Sequence, residues 1–151
     1  MTKPAPRTPR KTQSLRKPRA TARRKPIARA GTEAESRAIA LAAHLRSKGA
    51  DDIVLLSVAA LSDYTDYLII VTGASSTTVR ALANYALQWA EQAKLKPVGI
   101  EGLDQPDWVL LDLGSIVVHL FVPEARQYYA IETLWLDAAR IDVALPERAR
   151  A

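Results

Sequence analysis

The chain has 151 residues and a mass of 16.5 kDa, room for one ordinary domain and not two. Hydrophobic residues make up 48% and charged residues 25%, the balance of a globular protein. The lack of cysteine excludes disulfides, thiolate metal sites and a cysteine nucleophile, and two histidines, His44 and His119, leave little for a histidine metal cluster.

The net charge of +5 conceals a division along the chain. Residues 1–30 carry eleven Lys and Arg and no acid, a net of +11, whereas residues 31–151 carry ten basic and sixteen acidic residues, a net of −6. The first thirty residues also hold five of the nine prolines and no aromatic residue. Such a segment cannot bury enough apolar surface to offset its ordering entropy, so it is expected to be disordered. Two uses are open to it: a solvated extension, or a polycationic arm that contacts RNA by displacing counterions from phosphates. A transit peptide ranks below both, because the prolines oppose an amphipathic helix. No aliphatic run approaches the roughly 20 residues of a membrane span, and the basic segment has no apolar core of signal-peptide type. The expectation is a cytosol-like compartment and no membrane partner.

Along the acidic part, Thr32-Glu33-Ala34-Glu35 has the form of a capping box and opens a helix over about 33–48, stopped by Lys48-Gly49. Residues 53–58 and 67–72 read as short buried strands, joined by a polar segment through Asp63 and Asp66 that is expected to be exposed. Gly73-Ala74-Ser75-Ser76 leads into a helix over about 76–94, with Val79, Leu82, Ala83, Ala86, Ala90 and Ala93 on one stripe. A short strand at 97–100 precedes a hairpin, 108–112 and 116–122, around Leu113-Gly114-Ser115. Pro123 stops that strand, and a final helix is expected over 124–138 with Tyr128, Ile131, Leu134, Trp135 and Ala138 inward. The order predicts a single α/β domain over 31–140, a mixed five-stranded sheet flanked by helices, with 141–151 a flexible end.

Chemistry-bearing groups are sparse. The Gly73–Ser76 turn at a helix start is the best phosphate-binding candidate, but it lacks the P-loop lysine and the three-glycine fingerprint. Ser75 or Ser76 serves more naturally as a plain N-cap. A nucleotide-binding or nucleotidyl-transfer enzyme built on this turn is the alternative reading. Asp63 and Asp66, with Asp51-Asp52, lack the Asp-x-Asp spacing of a two-metal site and read as solvated loop carboxylates, so no metal site is expected. His119, in a strand, reads as a hydrogen-bonded structural residue ahead of a general base. Trp108, Tyr128, Tyr129 and Trp135 fall close together, and aromatics of this kind are core or interface anchors.

The stretch from Trp108 through Leu111-Asp112-Leu113-Gly114 to Val118-His119, then Arg126, Tyr128-Tyr129 and Glu132-Thr133-Leu134-Trp135, resembles the signature of the ribosomal silencing factor family (RsfS, or Iojap). Thr65-Asp66-Tyr67-Leu68, Thr72-Gly73-Ala74-Ser75-Ser76, and Gly99, Glu101 and Gly102 match upstream in order and spacing. The departures are Ser115, where the family often has an acid, and Ile131, where it usually has leucine. The resemblance covers about 35–137. It implies a nucleotidyltransferase-like fold without catalytic residues or cofactor. It also implies attachment to the large ribosomal subunit through large-subunit ribosomal protein fourteen, blocking subunit joining and repressing translation when nutrients are scarce. A homodimer off the ribosome is implied as well, in a bacterial cytoplasm ahead of an organellar matrix or stroma; contact of the basic tail with rRNA lies outside the resemblance. Glu101, Trp108, Asp112, His119 and Tyr129 are expected to form the partner surface. Asp66, Gly73, Ser75, Arg126, Glu132 and Trp135 match the motif in structural or binding roles, Arg126 and Trp135 divided between binding and bracing the last helix. Leu110, Val118 and Leu134 are assigned to the core.

Overall fold

The structure, a computed structural model, describes residues 33–143. In chain order these form α1 (Glu35–Ser47), β1 (Asp51–Ser57), β2 (Tyr67–Thr72), α2 (Ser76–Gln92), β3 (Gly99–Glu101), β4 (Trp108–Asp112), β5 (Ile116–Phe121), α3 (Pro123–Tyr129), a 3-10 turn (Ile131–Trp135) and β6 (Ala139–Arg140). The expectations for residues 1–30, for Thr32 as a cap and for residues 144–151 lie outside the described residues.

The strands form one sheet in the order β3-β4-β5-β2-β1-β6. Only β2 and β5 run parallel, from Tyr67 opposite Ile116 to Thr72 opposite Phe121; the other pairs are antiparallel. This placement explains why both strands read as unbroken apolar runs. A central strand covered on two faces has no solvent side to alternate with. On one face Ile69, Val71, Val109, Leu111, Val118 and Leu120 pack with Leu41 and Leu45 of α1 and with Val79, Leu82, Ala83 and Ala86 of α2. The small alanines let α2 lie close to the sheet. The other face holds Leu56, Leu68, Ile70, Leu110, Val117 and Phe121 under a thinner cover that includes Tyr64, Trp108, Tyr129, Ile131 and Trp135.

The sheet has six strands where five were expected. The sixth, β6, pairs Ala139 with Ser57 and Arg140 with Leu56, and the Ile141 N–H continues it by donating to the Leu55 carbonyl at 2.9 Å. Ile141 and Val143 are partly buried against the helix-side core, so packed chain extends beyond residue 140. A two-residue strand carries no hydrophobic alternation by which sequence could reveal it.

The final helix is also not continuous. Ala130 adopts a left-handed conformation, φ 38° and ψ 49°, which ends α3 and starts the 3-10 turn. In an unbroken α-helix residues 126 and 132 would point away from each other; the break brings Glu132 back onto Arg126, where they form an ion pair of 2.8 Å. The expected inward stripe is split accordingly. Ile131 is buried, whereas Tyr128 and Leu134 are 71% and 67% exposed, so Leu134 is not a core residue.

The described α1 has Ala34 at its N-cap, with no side-chain capping hydrogen bond. One local expectation changes as well. The segment between β1 and β2 is polar but not exposed throughout: Ser62, Thr65 and Asp66 are buried. Hydrogen bonds hold it in place. Ser62 Oγ accepts from the Tyr64 and Thr65 amides, and the Asp66 and Tyr67 amides donate to the Ser115 carbonyl.

A left-handed alanine costs about 1 kcal/mol that glycine does not incur. Ala130→Gly should therefore raise unfolding free energy by roughly 0.5–1 kcal/mol, read as a higher urea midpoint at unchanged slope.

Candidate partner-binding face

The strand register decides which side chains share the less covered face. Val109 and Leu111 of β4 belong to the helix-side core, so Trp108, Leu110 and Asp112 point to the opposite face. On β5 the same alternation sends Val117, His119 and Phe121 there. Glu101 pairs with Leu110 across β3 and β4 and joins them. Four of the five residues expected at the partner surface thus come from three adjacent strands, and α3 supplies the fifth, Tyr129.

At one end of this face lies an aromatic stack. The Trp108 ring is 5.1 Å from Phe121 and 4.7 Å from Tyr129, and Tyr128 meets Tyr129 edge-on at 4.8 Å. Phe121 is fully buried beneath, while Trp108 and Tyr129 are half-buried. The Trp108 indole Nε1 donates to His119 Nδ1 at 3.1 Å. An indole N–H can only donate, so this bond requires a lone pair on Nδ1, the form of the imidazole that carries its proton on Nε2. Gly102 fixes the approach of β4: at φ +94°, a Cβ there would sit 2.2 Å from the Trp108 carbonyl oxygen.

The other end is acidic. Asp112 Oδ1 accepts from the Gly114 amide at 2.8 Å and closes the β4–β5 hairpin, where Gly114 has φ +90°. Asp112 therefore has a structural role that sequence reasoning missed, although an acid two residues before a hairpin glycine is a signal for such a turn. Burial raises its carboxyl above the ordinary value, the Gly114 bond opposes this, and the charge of Glu101 adds to the rise. Glu101 is exposed.

Arg126 is occupied. Its Nε and Nη2 fork onto the Glu132 carboxylate, with Nη2 at 2.8 Å, and Nη1 donates to Thr72 Oγ1 at 2.7 Å. These contacts tie α3, the 3-10 turn and the end of β2 together. Trp135 is partly buried against the same core. Thr72 opens the Thr72–Ser76 motif but was given no role in the sequence; nothing local marks a strand-terminal threonine as an arginine partner 54 residues away.

The remaining motif positions lie elsewhere. Gly73 is buried where α2 crosses the sheet, and a Cβ would lie 2.9 Å from Val79 Cγ2. Ser75 is the N-cap of α2, its Oγ accepting from the Thr78 amide at 3.2 Å. Ser76 Oγ donates to Asp107 Oδ1 at 3.1 Å, which brings a carboxylate to the first turn of α2. Asp66 is 3% exposed and so is not the solvated carboxylate expected; Asp63 is exposed. Among the described residues no three His, Asp or Glu side chains are grouped to hold a metal, and no helix is long and apolar enough to cross a membrane.

Fold and face together define a small mixed α/β domain that carries an aromatic, acid-flanked sheet surface. Two crystal structures share this fold. One, of a protein from Bacillus halodurans, superposes with a TM-score of 0.62 at 31% identity, covering 74% of this chain and 98% of that one. The other, from Chromobacterium violaceum, gives 0.63 at 34% identity, covering 76% and 92%. The sequence profile described as "Ribosomal silencing factor during starvation" matches residues 31–151, and the chain belongs to that family. It is 38% identical over 102 residues to the ribosomal silencing factor RsfS of Bacillus subtilis, covering 68% of this chain and 86% of that protein. It is also 31% identical over 134 residues to the chloroplastic protein Iojap of Arabidopsis thaliana, covering 87% of this chain and 56% of that protein. A mouse protein named for mitochondrial assembly of the ribosomal large subunit is 38% identical over 94 residues, 60% of this chain and 41% of its own length.

The Arg126 fork holds the Glu132 carboxyl below its ordinary value of 4.5, partly offset by burial. A carboxyl lowered by folding adds stability that is complete above the unfolded value and is lost as pH falls through the lowered folded value. Glu132→Gln should remove that part of the acid limb in a plot of stability against pH. Arg126→Ala, which also strands Thr72, should cost about 1–3 kcal/mol at neutral pH, measured by denaturant unfolding. Asp112 has the opposite sign. Its raised carboxyl makes ionisation cost stability as pH rises from the ordinary 3.8 through the raised value.

Proposed function

We propose that this chain is a ribosomal silencing factor that docks on large-subunit ribosomal protein fourteen through the face bearing Glu101, Trp108, Asp112, His119 and Tyr129. Occupying that protein keeps the small subunit from joining and represses translation under nutrient limitation, in a bacterial cytoplasm. The observation that carries the reading is the joint placement of an aromatic stack and two carboxylates on one sheet face. Half-buried Trp and Tyr are the common anchors of protein interfaces. An acidic domain of net −6 attracts a basic ribosomal protein at long range.

The Asp112 charge supports the same reading. Burial and the neighbouring Glu101 charge disfavour its ionised form, and a lysine or arginine from a partner would relieve that cost. Residues 1–30, with a net of +11, supply a separate contact to rRNA phosphates that weakens steeply with salt.

Purified ribosomal protein fourteen provides the test, with affinity read by calorimetry. Glu101→Lys, which reverses an exposed charge, should weaken binding by about tenfold or more. Asp112→Asn keeps an acceptor for the Gly114 amide and removes the charge, so the fold should persist while affinity falls. Wild-type affinity in both folded variants would contradict this assignment of the surface.

A further inference from the structure

We propose that His119 is a positioning residue of this face: through its unprotonated Nδ1 it holds the Trp108 indole in the aromatic stack, and it releases that indole when Nδ1 takes up a proton. This inference rests on the partner-surface reading above. It assigns to His119 a part other than direct contact with the partner and gives the surface a pH-dependent shape.

The placement of His119 carries the argument. It is the one polar side chain in β5, whose other five residues are Ile, Val, Val, Leu and Phe. It is buried, between Leu110 of β4 and Ile70 of β2 in the register. A buried imidazole needs hydrogen-bonding partners, and Trp108 Nε1 donates to its Nδ1 at 3.1 Å. Trp108 lies diagonally across the β4–β5 pair, opposite Phe121, so this bond draws the indole back along the strand over the sheet. Its ring then rests 5.8 Å from the imidazole, 5.1 Å from Phe121 and 4.7 Å from Tyr129. The rotamer of the half-buried tryptophan is thus tied to an acceptor beneath the surface.

That acceptor exists only in the neutral ring. A cationic imidazole carries N–H on both nitrogens, and an indole nitrogen has no acceptor to offer it. Two donors at 3.1 Å repel, so protonation must turn one ring away. Among the described residues the charged groups on this face include Glu101 from β3, Asp112 from β4, the buried Asp66 just before β2 and, from α3 and the 3-10 turn, the Arg126–Glu132 pair. Tyr64 and Tyr129 add hydroxyls. No second base in β4 or β5 replaces Nδ1 as an acceptor for the indole, since their other inward residues on this face are Leu110, Val117, Phe121 and the hairpin-bound Asp112.

The first test needs no substitution and no partner. Nitrogen-15 NMR of the full chain should show His119 neutral with its proton on Nε2, and the Trp108 indole resonance, assigned with Trp108→Phe, should shift with the His119 titration at the same midpoint. A proton on Nδ1 of the neutral ring, or an indole resonance indifferent to that titration, would overturn the proposal. The second test is binding of ribosomal protein fourteen across the same pH range. His119→Asn places an amide oxygen near the Nδ1 position and does not titrate. Wild type should lose about three- to tenfold more affinity than His119→Asn as His119 becomes charged, the worth of one neutral hydrogen bond. Equal loss in the two proteins would refute the pH-dependent step. Should Glu101→Lys leave binding unchanged while the NMR coupling holds, the partner surface is wrong and the His119–Trp108 device stands.

Discussion

The parallel pairing of β2 with β5 is the constraint on which the rest of the molecule depends. It joins two antiparallel halves, β6-β1-β2 on one side and β5-β4-β3 on the other, and no other strand pairing links them. Six consecutive residue pairs make the seam, and every residue in both strands is buried. Parallel strands need a long connection, and this one carries α2, β3 and β4, with α2 lying over β4 and β5 and α1 over β1 and β2. The alanine stripe of α2 and the missing Cβ at Gly73 allow its close approach to the sheet. A slip of one residue would turn every side chain of a strand to the opposite face, moving His119 and Phe121 into the helix-side core.

From this seam the candidate face follows. Because α1 and α2 both cover the same side, among the described residues the other side is covered by a short helix, a 3-10 turn and a few aromatic rings. That thinner cover is what leaves Trp108 and Tyr129 half-buried rather than enclosed. The Arg126 fork then does for this side what helix packing does for the other: it ties the covering segment to the end of β2 through Thr72. The left-handed Ala130 makes the fork geometrically attainable. The strain in that residue and the ion pair are two parts of one local arrangement.

Much of this was legible in the sequence, for identifiable reasons. Long aliphatic runs gave β2 and β5, and three- and four-residue spacing gave α2 and its inner stripe. The aromatic and acidic residues expected at the partner surface do share one face, since strand alternation and hairpin register are short-range properties. What was hidden was non-local or too short to leave a pattern. β6 is a two-residue strand. The break at Ala130 has no glycine or proline to announce it, and a periodic stripe through Tyr128, Ile131 and Leu134 suggested continuity. Asp66 looked like a solvated carboxylate because polar residues in a short connection usually are; here backbone bonds from Asp66 and Tyr67 to Ser115 draw the segment inward. The Gly114 bond of Asp112 and the Trp108–His119 bond depend on side-chain geometry within a hairpin, which residue spacing alone leaves undetermined.

The account stands or falls on whether this face brings the protein to the large ribosomal subunit in a way that excludes the small one. The most direct measurement is sucrose-gradient sedimentation of separated ribosomal subunits, mixed under joining conditions with and without the purified chain. The account predicts that the protein travels with the large subunit and that the joined-ribosome peak shrinks as it is added. Protein left at the top of the gradient while the subunits join normally would contradict it.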